Sequence, residues 1–139
     1  MTPRASVGRE CRVRGTSSVV TGCIDLLGGH DADEALIVAL GGPHARAVID
    51  SGPAPVHAYW LRVWAARGLM YAWEDRAADA VLGALTDESW RVREMAAKVI
   101  AKQRIGDAIE RLAGLRDDPV PRVRAAAERA IVALTAAGE

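Results

Sequence analysis

Aliphatic and alanine residues recur along the second half of this chain in blocks set 31 residues apart. Arg62-x-x-Ala65-Ala66-x-x-Leu69 returns as Arg93-x-x-Ala96-Ala97-x-x-Ile100 and again as Arg124-x-x-Ala127-Glu128-x-x-Ile131, each preceded by an aliphatic residue: Leu61, Val92 and Val123. Inside the blocks the apolar positions fall three and four apart, as in Val92, Ala96, Val99 and Ile100 or Val123, Ala127, Ala130, Ile131 and Leu134. That spacing places them on one stripe of a helix, and Ile109, Leu112 and Leu115 are expected to supply the opposing face from the first helix of the third repeat. Gly28-Gly29, Gly41-Gly42-Pro43 and Ser51-Gly52-Pro53-Ala54-Pro55 punctuate the rest. The pattern predicts helices over about 17–27, 31–40, 43–50, 57–73, 74–85, 89–103, 105–115 and 121–136, with no period-two alternation of a strand. A fixed period of this length marks an α-solenoid, in which each unit buries its apolar side by stacking on its neighbours. The expected fold is all-α, with about four helical pairs of which the first two are irregular.

Composition agrees with closely packed helices. Half of the 139 residues are hydrophobic, yet there is no Phe and aromatic residues make up only 4%, so the core must be built from Ala, Leu, Val and Ile. The 18 basic and 18 acidic residues balance, which implies no strongly electrostatic partner. Lys98 and Lys102 are the only lysines, and the richness in Arg and Ala is what a high-GC, bacterial coding bias produces. Cys11 and Cys23 stand alone, without cysteines or histidines at metal spacing, so free thiols and a cytoplasmic location are expected. The start of the chain has no apolar core of a secretory signal, and no stretch approaches the ~18 apolar residues of a membrane span. Residues 1–16, with Arg4, Arg9, Arg12 and Arg14 against Glu10, read as a flexible basic arm, and residues 17–139 as one solenoid domain.

Catalytic chemistry finds little to stand on. His30, His44 and His57 fall at turns or helix starts, where solvent-facing histidines are common, and none is poised by sequence against a nucleophile. The Gly-Gly pairs stop helices and belong to neither a phosphate loop nor a dinucleotide fingerprint. No catalytic residue, metal ligand or cofactor is expected.

The run Leu85-x-Asp87-x4-Val92-Arg93-x2-Ala96-Ala97-x2-Ile100, matched by Leu115-x2-Asp118-x4-Val123-Arg124-x2-Ala127-x3-Ile131, resembles the HEAT-repeat family, and within it the short repeats first described in phycobilisome lyases. The resemblance covers residues 59–139 and implies a right-handed solenoid. It also implies a structural ladder in which a turn Asp and an Arg six residues later, Asp87/Arg93 and Asp118/Arg124, link successive repeats. The copy at Arg62 departs from the pattern, with Val56 at the acidic position. By fold analogy the chain is expected to be a non-enzymatic adaptor that binds a peptide or partner protein on its concave face. The alternative is nucleic-acid binding, after the DNA-alkylation-repair glycosylases, whose damaged-base cleft Trp60, Trp64, Asp75 and Arg67 could imitate; a bilin lyase subunit or chaperone is a third reading. The chain lacks the His-Glu pairs on which the di-iron HEAT-like hydroxylases rely.

Comparison of outward positions across the copies locates the candidate binding face. Trp60 corresponds to Arg91 and Arg122, Val63 to Glu94 and Ala125, and Trp64 to Met95. Arg67 corresponds to Lys98 and Arg129, Met70 to Ala101 and Tyr71 to Lys102. Trp73 adds to the aromatic cluster formed by Trp60, Trp64 and Tyr71, and Arg67, Arg91, Lys98, Arg122 and Arg129 form a basic stripe beside it. Two readings stand: an apolar pocket rimmed by arginines for an acidic peptide, or a core stripe covered by the N-terminal helices. The first helices also offer a surface for homodimerisation.

Overall fold

Helices begin in this chain where a cap or a proline meets an apolar stripe. In the computed structural model, α1 (Pro3–Arg14) starts behind Thr2, whose hydroxyl accepts the Ala5 N–H at 3.1 Å. α2 (Thr16–Leu27) follows, and α3 (Glu34–Gly41) starts at Asp33, whose carboxylate accepts the Leu36 N–H at 2.8 Å. α4 (Pro43–Asp50), α5 (Pro55–Gly68) and α9 (Pro121–Ala136) each open on a proline, whose missing N–H would have no partner in a first turn anyway. Between them lie α6 (Ala78–Ala84), α7 (Trp90–Gln103) and α8 (Ile109–Gly114), with single 3-10 turns at Asp75–Ala77, Gly106–Ala108 and Leu115–Asp117. The structure describes residues 1–51 and 55–136, with the side chains of 55–57 excepted; the expected turn at 52–54 and the His57 side chain lie outside the described residues. Among the described residues the regular elements are all helical, and no helix is long and apolar enough to cross a membrane.

The chain divides into two compact units, Met1–Ala77 and Ala78–Glu139. In the first, α3 packs on α1, α4 and α5, while α2 packs on α1 and α5. The stretch expected as a flexible arm is therefore helical and docked. Val7 is buried, and the Ser6 hydroxyl donates to the Ala39 carbonyl at 2.6 Å. Arg14 meets Glu10 at 2.7 Å and grips Asp33 at 2.6 and 3.0 Å. Those bonds, helped by the Leu36 N–H, hold the Asp33 carboxyl below the usual carboxylate range. One valine and a few polar anchors dock α1, which is why a polar, arginine-rich composition concealed it.

α5 was expected to run to residue 73 but ends at Gly68, and the chain tightens into i→i+3 bonds, Met70 N–H to Arg67 O and Tyr71 N–H to Gly68 O, both 3.0 Å. At Gly68 the neighbouring helices come close. A Cβ there would lie 2.6 Å from Leu40 Cδ2 and 3.1 Å from Cys23 Sγ, whereas the corresponding residues of α7 and α9 are Val99 and Ala130. Met70 and Tyr71 thus leave the helical stripe that their equivalence to Ala101 and Lys102 had assigned them.

Cys11 and Cys23 are free thiols. Burial, with a smaller contribution from Cys11, pushes the Cys23 thiol up to about 12. Since the thiolate is the reactive form, a disulfide reagent at pH 8 is expected to titrate Cys11 in the native protein and Cys23 only after denaturant is added. Equal reaction rates at both thiols in the native state would contradict this packing.

In the second unit α7 packs on α6 and α9, and α8 packs on α9. Val92, Ala96, Val99, Ile100, Val123, Ala127, Ala130, Ile131 and Leu134 are buried, as their spacing requires. Ile109, expected to face the core, is 40% exposed: the turn at Gly106–Ala108 sets Ala108 and Leu112 inward instead. Leu115 is half-buried in its own turn.

The ladder runs between copies in a particular way. Arg93 donates to both carboxylate oxygens of Asp118, from Nε at 2.8 Å and from Nη2 at 3.2 Å. Its Nη1 meets the backbone carbonyls of Asp87 at 2.8 Å and Glu88 at 3.2 Å, and Arg124 Nη1 meets the Asp118 carbonyl at 2.6 Å. Within a copy, then, arginine binds the carbonyl of the aspartate six residues before it, while the Asp118 carboxylate serves Arg93 of the preceding copy. Asp87 and Asp118 also accept the N–H two residues on, from Ser89 at 2.8 Å and Val120 at 2.9 Å, closing the turn before the helix.

Candidate functional site

The stripe of α5 that differed from its copies is divided by α3 into a covered part and an open part. Val63 and Trp64 are only 6% and 5% exposed. The Trp64 ring lies against the backbone of Gly41, the last residue of α3, so close that a Cβ at Gly41 would stand 2.6 Å from the indole. These two residues belong to the core of the first unit rather than to a surface, because the N-terminal helices lie over them.

Trp60, one turn earlier, stays half-buried. Its ring stacks on Trp64 with centroids 6.1 Å apart at 24° and tilts against Tyr59 at 5.0 Å. Trp60 and Trp64 form one wall of a cavity of about 360 Å³, and His44, Ala47 and Val48 of α4 form the other. The α4 residues carried no signal beyond helical spacing, which is why they were missed.

Arg67, two turns along α5 from Trp60, opens into a second cavity of the same unit, of about 340 Å³. Its Nη2 donates to the Leu40 carbonyl at 2.8 Å. Burial lowers the guanidinium pKa, with a smaller opposing influence from Tyr71. Met70 and Tyr71 are half-buried beyond the end of the helix. Trp73 donates to Asp75 at 3.1 Å. Asp75 lines neither cavity, so Trp60, Trp64, Asp75 and Arg67 do not converge as a damaged-base cleft would require.

In the second unit the basic stripe is largely occupied. Arg122 grips the buried Glu94 carboxylate at 2.9 and 3.2 Å, and Lys98 approaches it at 4.0 Å. Arg91 and Arg122 both stack over the Trp90 ring, 4.5 and 5.2 Å from its centroid. Glu94, read as an outward position, is thus an acid that α7 turns toward α9, where an arginine 28 residues later, with Lys98 nearby, makes its burial tolerable. Arg129 is exposed, and His30 and His44 are exposed as their turn positions suggested. Among the described residues no cluster of His, Cys, Asp or Glu could hold a metal ion.

A family model for HEAT repeats matches residues 57–132, and the chain belongs to the HEAT-repeat family. No curated protein and no solved structure matches it.

Proposed function

We propose that this HEAT-repeat protein is a non-catalytic interaction module that takes an apolar side chain of a partner protein or peptide into the Trp60 cavity. One observation carries the reading: across a cavity of about 360 Å³, large enough for one side chain of a partner, the half-buried Trp60 faces Ala47 and Val48 of α4, with His44 on the same wall. Aromatic anchors in such pockets dominate binding energies at protein interfaces. HEAT repeats generally serve as protein-interaction scaffolds, which supports the same reading. Nucleic-acid binding is less well supported, since Arg122 and Lys98 converge on Glu94 and the overall charge balances.

Peptides selected from a displayed random library on the immobilised protein are expected to share an apolar anchor. Trp60→Ala is expected to weaken the best of them by about thirtyfold, the usual loss at an interface hot spot. Val132→Asp, on an exposed position of α9, serves as the control. Binding unchanged by Trp60→Ala would refute the proposed site.

A further inference from the structure

Copies set 31 residues apart let one position be compared in two settings. In α7, which packs on α9, Glu94 and Ala97 are buried. Their equivalents in α9, Ala125 and Glu128, are exposed, whereas the inward pair Ala96 and Ala127 is buried alike in both helices. The ladder shows the same asymmetry. Arg93 and Arg124 are anchored alike, each through Nη1 on the carbonyl of the aspartate six residues before it, at 2.8 and 2.6 Å. That anchor leaves the Nε–Nη2 edge of Arg93 to grip the Asp118 carboxylate at 2.8 and 3.2 Å. The same edge of Arg124 makes no hydrogen bond among the described residues, and Asp118, taken by Arg93, acts on it only through space. Arg124 is half-buried and, unlike Arg67, has no guanidinium nitrogen shut away from solvent without a partner.

We infer that the outer face of α9 docks a helical repeat of a partner protein, whose turn aspartate fills the Nε–Nη2 edge of Arg124. The chemistry of the occupant is read from the completed rung. The guanidinium edge is a planar fork that matches the two oxygens of a carboxylate, and Arg93, held by the same anchor, takes an aspartate there. Asp118 also accepts the Val120 N–H, so the acid that fits this fork stands at a turn opening a helix. A free phosphate brings the charge without the helix behind it. Ala125, where α7 has the buried Glu94, offers a small side chain, and helix axes approach according to the side chains at their contact. Glu128 is held by Arg116 at 2.5 Å and so sets no uncompensated acid against the incoming aspartate. This surface lies in the second unit, and it goes beyond the Trp60 cavity, which belongs to the first.

The test selects displayed two-helix hairpins, randomised over the turn and the second helix, on the immobilised full chain. The best binders are expected to share an aspartate in the turn and to lose about thirtyfold or more in affinity on Arg124→Gln, the scale for removing one side of a desolvated charge pair. Ala125→Glu sets a like charge beside the incoming carboxylate at an exposed position, and is expected to cost at least tenfold whatever Arg124→Gln does to folding. In the wild-type protein, solvent exchange of the ¹⁵N-labelled Arg124 Nε–H is expected to slow at least tenfold on binding, toward the rate of Arg93. Hairpins that bind both variants as tightly as wild type, or an Arg124 Nε–H that saturation leaves unchanged, would overturn the surface. Binding lost on Trp60→Ala but kept on Arg124→Gln would overturn it as well, by assigning the hairpins to the other cavity. Inorganic phosphate that slows the Arg124 Nε–H as much as a hairpin does would overturn the choice of an aspartate. Sedimentation is expected to find the chain alone unassociated through this face; self-association abolished by Arg124→Gln would replace the partner protein with a second copy.

Discussion

Asp118→Ala is expected to destabilise the second unit by about 3 kcal/mol, the scale for removing one partner from a buried ion pair. Asp118 is 5% exposed in its side chain and Arg93 14%, so the substitution strands a desolvated guanidinium while also removing the acceptor for Val120 N–H. Urea unfolding followed by circular dichroism measures the loss, and a change under about 1 kcal/mol would show that the pair contributes as little as an exposed one. The pH dependence follows with a definite sign. Burial pushes the Asp118 carboxyl upward, but the Arg93 and Val120 hydrogen bonds outweigh it and leave the folded-state pKa lowered. A lowered folded pKa gives stability that is fully present above the unfolded value of about 3.9 and fades as pH falls through the folded one. Wild type should therefore lose stability below about pH 4 more steeply than Asp118→Asn.

Gly41→Ala is expected to destabilise the first unit by about 2 kcal/mol, although alanine is the better helix former. The new methyl would lie 2.6 to 2.8 Å from three atoms of the Trp64 ring, which is 5% exposed and stacks on Trp60. Overpacking a closed core typically costs 1–3 kcal/mol, more than the propensity gain of up to ~1 kcal/mol at a helix end. A lower melting temperature with a red shift of tryptophan emission is the expected result. Gly83→Ala in α6, where a Cβ meets nothing within 4 Å, should instead be neutral or stabilising. A Gly41→Ala protein as stable as wild type would mean that α3 does not hold Trp64 as closely as described.

Much of the second unit was legible because its signal is local. Val92, Ala96 and Ile100, or Val123, Ala127 and Ile131, are set by helical spacing alone, and repetition at a fixed distance made each copy a check on the others. The aspartate–arginine spacing likewise marked the ladder, though which oxygen met which nitrogen depended on two turns coming together. Ile109 was misplaced because a 3-10 turn shifts the phase of the stripe, and nothing in the composition of Gly106–Ala108 announces it.

The first unit was harder to read, since its helices are held by close approaches rather than by a broad apolar face. α1 docks through Val7, Ser6 and Arg14, too few residues to register as periodicity. The mismatched copy did point to Trp60, Trp64 and Arg67, and the three share a stripe of α5 as the spacing required. Their fates differ: Trp64 is core, Trp60 walls a cavity, and Arg67 reaches into another.

Helical periodicity and the 31-residue repeat were thus enough to establish an all-α HEAT-repeat chain and its aliphatic core, because those depend on contacts between residues near in sequence or at matching positions. Which of the unusual side chains are buried and which are open was decided by where α3 and α4 lie against α5. That placement rests on glycines at Gly41 and Gly68 admitting Trp64 and Leu40 to within a few ångströms, a fit between surfaces distant in the chain that no local pattern encodes.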